Sequence, residues 1–147
     1  MIKVVLIGSG NVAHHLIEAF AKSKIVDVTQ VFSRQQESVS PLFDSNKITD
    51  DYNNLAKADL YIIAVSDDAI ATVSSQLAFK NRLVVHTSGS VSLDVLDKKN
   101  RKGIFYPLQT FSKNKAVDFS SIPICLESEN ETDFELLKNV GDSISNS

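Results

Sequence analysis

The first twenty residues constrain the fold more than any other part of the chain. Ile2–Ile7 is apolar apart from Lys3, as expected of a strand that is buried on both faces of a sheet. This run leads into Gly8-Ser9-Gly10-Asn11-Val12-Ala13, which has the spacing G-x-G-x-x-A. Apolar residues then recur at helical spacing at Val12, Ala13, Leu16, Ile17, Ala19 and Phe20. The sequence therefore predicts a buried strand, a tight turn and an amphipathic helix in direct succession.

Each small residue of this turn has a physical role. Gly8 permits the tight turn out of the strand, and Gly10 lets a pyrophosphate approach a backbone that carries no side chain. Ala13 allows the helix to pack closely on the strand. The residues between them, whose N–H groups lie at the positive end of the helix dipole, are Ser9, Asn11 and Val12. The motif predicts a dinucleotide site at residues 8–13; the alternative is a tight turn that binds nothing.

Strand and helix patterns alternate along the rest of the chain. Further strands are predicted at 26–32, 47–49, 59–65, 82–86, 103–107 and 122–126. Helices are predicted after Asp67, where Ile70, Val73 and Leu77 share one face, and over residues 133–140. Such alternation is typical of right-handed βαβ units with ligands at the carboxyl ends of the strands. We therefore predict an α/β fold with a doubly wound, mostly parallel sheet, a single Rossmann-like NAD(P)-binding domain over residues 1–147.

Composition narrows the class of protein. The 147 residues are enough for one full core, and their net charge of −3 offers no cationic field for nucleic acid or an anionic membrane. No apolar run approaches the roughly 20 residues of a membrane span. The single cysteine, Cys125, excludes an internal disulfide and is predicted to be buried in its apolar strand. His14 and His15 lie on different faces of a helix, so no metal site is predicted. These features predict a cytoplasmic protein without nucleic-acid or membrane partners.

The second strand ends in Phe32-Ser33-Arg34, without a carboxylate. NAD-binding domains usually place an Asp or Glu about 20 residues beyond the glycines to bond the ribose hydroxyls. Ser33 can donate a hydrogen bond to a 2′-phosphate, and Arg34 can pair with that phosphate or stack on adenine. These residues favour NADP over NAD, and the missing acid argues against a methyltransferase. The alternative for Arg34 is an ordinary exposed loop residue.

The strand predicted at 59–65 ends at Val65 and is followed by Ser66 and Asp67. In a dinucleotide domain this loop passes beside the nicotinamide ribose, so Val65 and Ser66 are predicted to contact the cofactor. Asp67 is predicted to cap the following helix rather than to act as a catalytic acid.

The strand predicted at 82–86 ends at His86 and is followed by Thr87 and Ser88. A nicotinamide and a substrate would meet at these residues. Thr87 is a candidate cofactor contact, and His86 and Ser88 are candidate catalytic residues. His86 could serve as a general acid or orient a substrate carbonyl; alternatively, its ring bonds a neighbouring backbone group. Further along the chain, Tyr106 and Gln109 either face the same crevice or support the core and the loop.

Five segments together resemble a known family. They are GSGNVA (8–13), FSR (32–34), AVSDDAI (64–70), VVHTSGSVSLDVL (84–96) and GIFYPLQTFS (103–112). They resemble Rossmann-like oxidoreductases that carry a C-terminal domain of unknown function, DUF2520. That family is similar to pyrroline-5-carboxylate reductases, F420-dependent NADP reductases and the 6-phosphogluconate and β-hydroxyacid dehydrogenases. Some related dehydrogenases have His-Pro where this chain has Tyr106-Pro107, so no histidine role transfers to that position.

The resemblance implies an NADP cofactor and a place for each of its parts. It assigns Gly8, Gly10 and Ala13 to the pyrophosphate and Ser33-Arg34 to the 2′-phosphate. It places Ser66 and residues 86–89 near the nicotinamide. Members of such families continue into an all-helical second domain that builds the dimer and closes the substrate site. The resemblance thus implies a cofactor half whose helical C-terminal domain is absent, and whose partner is such a domain or another copy of the chain.

These observations lead to one interpretation and two alternatives. The interpretation is an NADP(H)-binding domain of an oxidoreductase that transfers a hydride between nicotinamide and the C=O or C=N bond of a small-molecule substrate. The first alternative is a non-catalytic module that binds or senses a nucleotide. The second is a different nucleotide ligand on the same fold, because a fold alone does not fix a function.

Overall fold

The computed structural model describes residues 1–109 and 118–146, in which seven strands form one sheet. The strands are β1 (Ile2–Ile7), β2 (Val26–Phe32), β3 (Ile48–Thr49), β4 (Leu60–Ile63), β5 (Leu83–His86), β6 (Arg101–Pro107) and β7 (Ile124–Ser128). The helices are α1 (Asn11–Ala21), α2 (Gln36–Val39), α3 (Ile70–Gln76) and α4 (Glu131–Asp142). Strands β1 and β2 have the predicted bounds, and the others differ only at their ends. No helix in these residues is long and apolar enough to cross a membrane.

The strand order is β3-β2-β1-β4-β5-β6-β7. All neighbouring strands are parallel except β6 and β7, which are antiparallel. The chain builds outward from β1 to β3 and then returns to the other side of β1 with β4. A crevice is expected at the carboxyl ends of β1 and β4, where the direction of winding reverses. The predicted α/β, doubly wound and mostly parallel Rossmann-like fold is confirmed.

Alternate residues of β1 enter two separate cores. Val4 and Leu6 pack on the side of the sheet that is covered by α1 and α4, whereas Val5 and Ile7 pack on the side covered by α3. All four side chains are fully buried. Truncating Leu6 or Ile7 to alanine would cost about 2–5 kcal/mol of stability. Helices on both faces thus hold the central strands rigidly and fix the positions of their carboxyl ends.

Two predictions about single side chains are wrong. Cys125 is exposed. It lies on the antiparallel edge strand β7, where alternate residues face away from the core. Asp67 does not cap a helix, because Ser66 is the N-cap of a short 3-10 turn that precedes α3. The Asp67 carboxylate instead accepts a hydrogen bond from the Ser90 hydroxyl at 2.9 Å, which ties the loop after β4 to the loop after β5.

Candidate functional site

The carboxyl ends of β1, β2, β4 and β5 surround a cavity of about 660 Å³, a size typical of small-molecule sites. Backbone hydrogen bonds hold these strand ends together. The Gly8 N–H donates to the Phe32 carbonyl at 2.9 Å, and the Ala64 N–H donates to the Ile7 carbonyl at 2.8 Å. Most of the residues predicted for the site line this cavity: Gly8, Ser9, Gly10, Asn11, Val12, Ser33, Arg34, Val65, Ser66 and Thr87.

Gly8 is required by the fold itself. Its φ of +135° lies in a region that side-chain-bearing residues rarely adopt. A Cβ at this position would also lie 2.1 Å from the carbonyl oxygen of Ala64. Ala13 is fully buried and does not line the cavity, which fits its predicted role in packing α1 on the sheet.

Gly10 is not required by the fold. It is the N-cap of α1 with φ −81°, a value open to any residue, and a Cβ there would meet no protein atom within 4 Å. Gly10 is exposed and lines the cavity, so a side chain would occupy space that a ligand could use. The helix also begins without a side-chain cap and without an acidic residue in its first turn. This end of the cavity therefore offers a helix N-terminus to an anion.

The end of β2 forms a second polar region of the cavity. Ser33 is 1% exposed, and its hydroxyl oxygen accepts a hydrogen bond from the Gln35 N–H at 3.0 Å. In the described part of the chain this hydroxyl donates no hydrogen bond, and Ser33 lines the cavity. Arg34 is exposed, and its guanidinium lies over the ring of Tyr52, 6.0 Å from the centroid. The Tyr52 ring stacks on Phe32, with centroids 4.2 Å apart and an interplanar angle of 16°.

Carboxylates also lie near this region, although the sequence pattern showed none after β2. Asp50 and Asp51, which follow β3, line an adjoining cleft together with Arg34 and Tyr52. The Asp51 carboxylate accepts a hydrogen bond from the Asn53 N–H at 2.9 Å and so serves its own turn. Asp50 is exposed. Because β3 lies beside β2, the chain places an acid near the end of β2 that sequence spacing does not reveal.

Residues from the loop after β4 and from α3 complete the cavity. Val65 and Ser66 are joined there by Thr72, Val73 and Gln76 of α3. The sequence did not single out these α3 residues as site residues, because their pattern is that of an ordinary amphipathic helix. They become part of the site only because α3 packs beside the cavity.

His86 does not line the cavity. Its side chain is fully buried, and both ring nitrogens have backbone partners. Nδ1 accepts from the Ser88 N–H at 3.0 Å, so the neutral ring carries its proton on Nε2, which lies 3.3 Å from the Ser92 carbonyl oxygen and donates to it. Burial lowers the pKa of His86 below its usual value, and the bond to Ser92 opposes that effect only in part. The half-buried Ser88 has its hydroxyl oxygen 3.3 Å from that of Ser90.

This geometry matches the second prediction for His86, in which its ring bonds neighbouring backbone groups. The catalytic roles suggested for His86 and Ser88 remain predictions.

Tyr106 and Gln109 have different surroundings. Gln109 lines the cavity. The ring of Tyr106 packs against Gly89, where a Cβ would lie 2.3 Å from the ring. Tyr106 thus supports the loop after β5. The following residues of the YPLQTF stretch, Thr110 and Phe111, lie outside the described residues. Within residues 1–109 and 118–146, no group of three or more His, Cys, Asp or Glu side chains could hold a metal ion.

A doubly wound sheet with an open glycine turn at its switch point defines a Rossmann-like dinucleotide-binding domain. The chain belongs to the family described as NADP oxidoreductase, coenzyme F420-dependent, which matches residues 3–89. It is therefore a Rossmann-like NAD(P)-binding oxidoreductase domain. No curated protein matches the sequence.

Several solved structures are similar to the chain. One is a provisionally assigned NADP oxidoreductase from Bacteroides fragilis, with 35% identity and a TM-score of 0.87 over 99% of this chain and 58% of that one. Protein TM1727 from Thermotoga maritima has 21% identity and a TM-score of 0.74, over 97% of this chain and 55% of that one.

Prephenate dehydrogenase from A. aeolicus, solved with hydroxyphenyl propionate and NAD⁺, has 12% identity and a TM-score of 0.75, over 99% of this chain and 58% of that one. At such low identity, this structure and the Thermotoga structure support the fold alone. The chain spans between 55% and 58% of the length of these three proteins.

Proposed function

We propose that the chain is the cofactor domain of an NADP-dependent oxidoreductase of the DUF2520-containing type that its motifs resemble. The observation that carries this proposal is the contrast between Gly8, which the fold requires, and Gly10, which it does not. A glycine at the open N-terminus of α1 is explained by a ligand that approaches the backbone there. The pyrophosphate of a dinucleotide fits that position, because it needs both close approach and uncapped N–H groups.

The end of β2 supports NADP as the cofactor. Ser33 has a buried hydroxyl that can donate into the cavity, and Arg34 has a guanidinium with no carboxylate within 4.0 Å in the described part of the chain. A hydroxyl donor beside an unpaired cation suits the doubly charged 2′-phosphate. Asp50 supports the alternative, NAD, because its carboxylate shares a cleft with Arg34 and would repel that phosphate.

Hydride transfer to or from a C=O or C=N bond is the chemistry that a bound nicotinamide supplies. Val65, Ser66 and Thr87 would orient the nicotinamide ribose and ring at the ends of β4 and β5, as predicted from the sequence. For proton delivery we propose Ser88 or His86. His86 can donate from Nε2 only if it releases the Ser92 carbonyl, so the Ser88 hydroxyl is the more accessible group.

We propose that a helical domain or a second copy of the chain completes the substrate site. Support comes from the solved relatives, each of which extends well beyond the matched region. Leu108 is 52% exposed and directly precedes Gln109, which lines the cavity. The identity of the small-molecule substrate would then depend largely on that partner.

A non-catalytic nucleotide-sensing module is the second candidate. It is favoured by the backbone bonds that engage both nitrogens of His86. Both candidates predict binding of the cofactor, and they differ in turnover. We would incubate the full-length protein with NADPH and a panel of small carbonyl and imine compounds and follow NADPH oxidation. Oxidation that depends on one compound class supports the oxidoreductase, whereas tight NADPH binding without oxidation of any kind supports the sensor.

A further inference from the structure

The turn that carries Tyr52 is held in place by its neighbours. Gln30 on β2 binds this turn through both ends of its amide. Its Nε2 donates to the Asn54 carbonyl at 2.9 Å, and its Oε1 accepts from the Ala56 N–H at 2.8 Å. The Asp51 side chain caps the same turn. Because the backbone is fixed on both sides of Tyr52, its ring is positioned without help from a ligand.

Tyr52 in turn restrains Arg34. The Tyr52 ring stacks on the buried Phe32, so it cannot rotate freely, and the Arg34 guanidinium lies over it. A cation over an aromatic face is attracted by the ring quadrupole. A carboxylate partner would hold Arg34 more strongly, but it would also neutralise the charge that a phosphate needs. An aromatic ring restrains the side chain and leaves its charge and its N–H donors available.

We propose that Tyr52 is a positioning residue for Arg34 and, through Arg34, raises the preference of this site for a 2′-phosphorylated dinucleotide. This inference rests on the proposed function. Tyr52 would then be a determinant of cofactor specificity. It follows β3 and lies outside every motif found in the sequence. The aromatic ring of Tyr52 is the part that restrains Arg34, since the Tyr52 hydroxyl forms no hydrogen bond in the described part of the chain.

Calorimetric titrations with NADPH and NADH test the proposal in four proteins: wild type, Tyr52→Leu, Tyr52→Phe and Gln30→Leu. Tyr52→Leu keeps apolar packing on Phe32 but removes the ring face. We expect it to weaken NADPH binding about two- to fivefold, the size of an exposed cation–π contact, and to leave NADH binding unchanged. Tyr52→Phe keeps the ring and should bind both cofactors like wild type. Gln30→Leu frees the turn and should show the same selective loss as Tyr52→Leu.

A double-mutant cycle separates an action through Arg34 from a direct contact. In the Arg34→Ala background, Tyr52→Leu should cause no further loss of NADPH affinity, because the group that it positions is gone. An equal loss for NADPH and NADH would overturn the proposal and assign Tyr52 to a part that both cofactors share. Unchanged NADPH affinity in Tyr52→Leu would overturn it too. Failure of the proposed function looks different, since the wild-type protein would then bind neither cofactor.

Discussion

A Cβ built on Gly8 would lie 2.1 Å from the carbonyl oxygen of Ala64, whereas a Cβ on Gly10 would meet nothing within 4 Å. The close approach at Gly8 follows from the pairing of β1 with β4, since the Ala64 N–H donates to the carbonyl of Ile7, immediately before Gly8. Two glycines of one motif therefore meet different demands. The first allows two strands to lie together, and the second leaves the start of α1 open.

Substitution of the two glycines should separate stability from binding. Gly8→Ala should lower the free energy of unfolding by about 3 kcal/mol or more, because backbone strain of 1–3 kcal/mol adds to the contact with Ala64. Gly10→Val should change it by no more than about 1 kcal/mol and should abolish dinucleotide binding. Urea denaturation followed by circular dichroism, together with calorimetric titration, measures both effects. A Gly10→Val protein that binds NADPH as well as wild type would place the ligand elsewhere.

Arg34 should distinguish the two cofactors. Arg34→Ala should weaken NADPH binding by roughly 1.5–3 kcal/mol, the value of a hydrogen bond to a charged group, and leave NADH binding nearly unchanged. Arg34→Lys is the matched control: it keeps the charge but loses the planar fork, so its NADPH affinity should fall between those of wild type and Arg34→Ala. Equal losses for NADPH and NADH in Arg34→Ala would exclude Arg34 as the 2′-phosphate contact.

Asp50 should act in the opposite direction. Its carboxylate shares a cleft with Arg34 and is exposed, so its repulsion of a 2′-phosphate is screened by solvent. Asp50→Asn should therefore strengthen NADPH binding by about 0.2–1 kcal/mol, a typical surface electrostatic effect, without strengthening NADH binding. Asp142→Asn, at the far end of α4, changes the net charge equally and should affect neither cofactor. Weaker NADH binding in Asp50→Asn would instead identify Asp50 as a ligand of the ribose hydroxyls.

His86 should make stability depend on pH. Its pKa is lowered by burial, so below its usual value near 6.5 the unfolded chain binds a proton that the folded chain does not. The free energy of unfolding should therefore fall as the pH drops below about 6.5, until the lowered pKa of the folded state is reached. His86→Asn keeps an acceptor near the Ser88 N–H but cannot titrate, so this part of the pH dependence of stability should disappear. Denaturation curves at several pH values test this, and identical pH profiles for the two proteins would contradict it.

The same variant addresses the catalytic prediction. If the protein catalyses the proposed hydride transfer, a proton donor at His86 predicts a lower kcat for His86→Asn at unchanged NADPH affinity. Unchanged turnover in a folded variant would leave His86 with the structural role that its backbone bonds describe.

The sequence contained most of the fold because its strongest signals are local. The apolar run of β1, the glycine turn and the helical spacing of α1 are contiguous, and the bounds of β1 and β2 follow from them directly. Most of the cofactor-binding residues predicted at strand ends also line the cavity, since the ends of parallel strands meet at one edge of a sheet, whereas His86 and Ser88 do not. The prediction that Cys125 is buried is wrong because its apolar neighbours conceal an alternating edge strand, which is exposed on one side.

The features that the sequence did not reveal depend on contacts between distant residues. Tyr52 lies in a polar, irregular segment with no periodic pattern, and only its stacking on Phe32 brings it to the cavity. Asp67 has the sequence context of a helix cap, but its partner is the Ser90 hydroxyl of another loop. The sequence pattern correctly places His86 at the end of a strand. The pattern does not reveal that the ring turns toward Ser88 and Ser92.

One calorimetric experiment tests directly whether this cavity is an NADPH site that the absence of a side chain at Gly10 leaves open. Wild type and Gly10→Val are each titrated with NADPH and with NADH. We expect wild type to bind NADPH more tightly than NADH and the folded Gly10→Val protein to bind neither. Equal or tighter binding of NADH by wild type would contradict the assignment of Ser33 and Arg34, and undiminished binding by Gly10→Val would contradict the site itself.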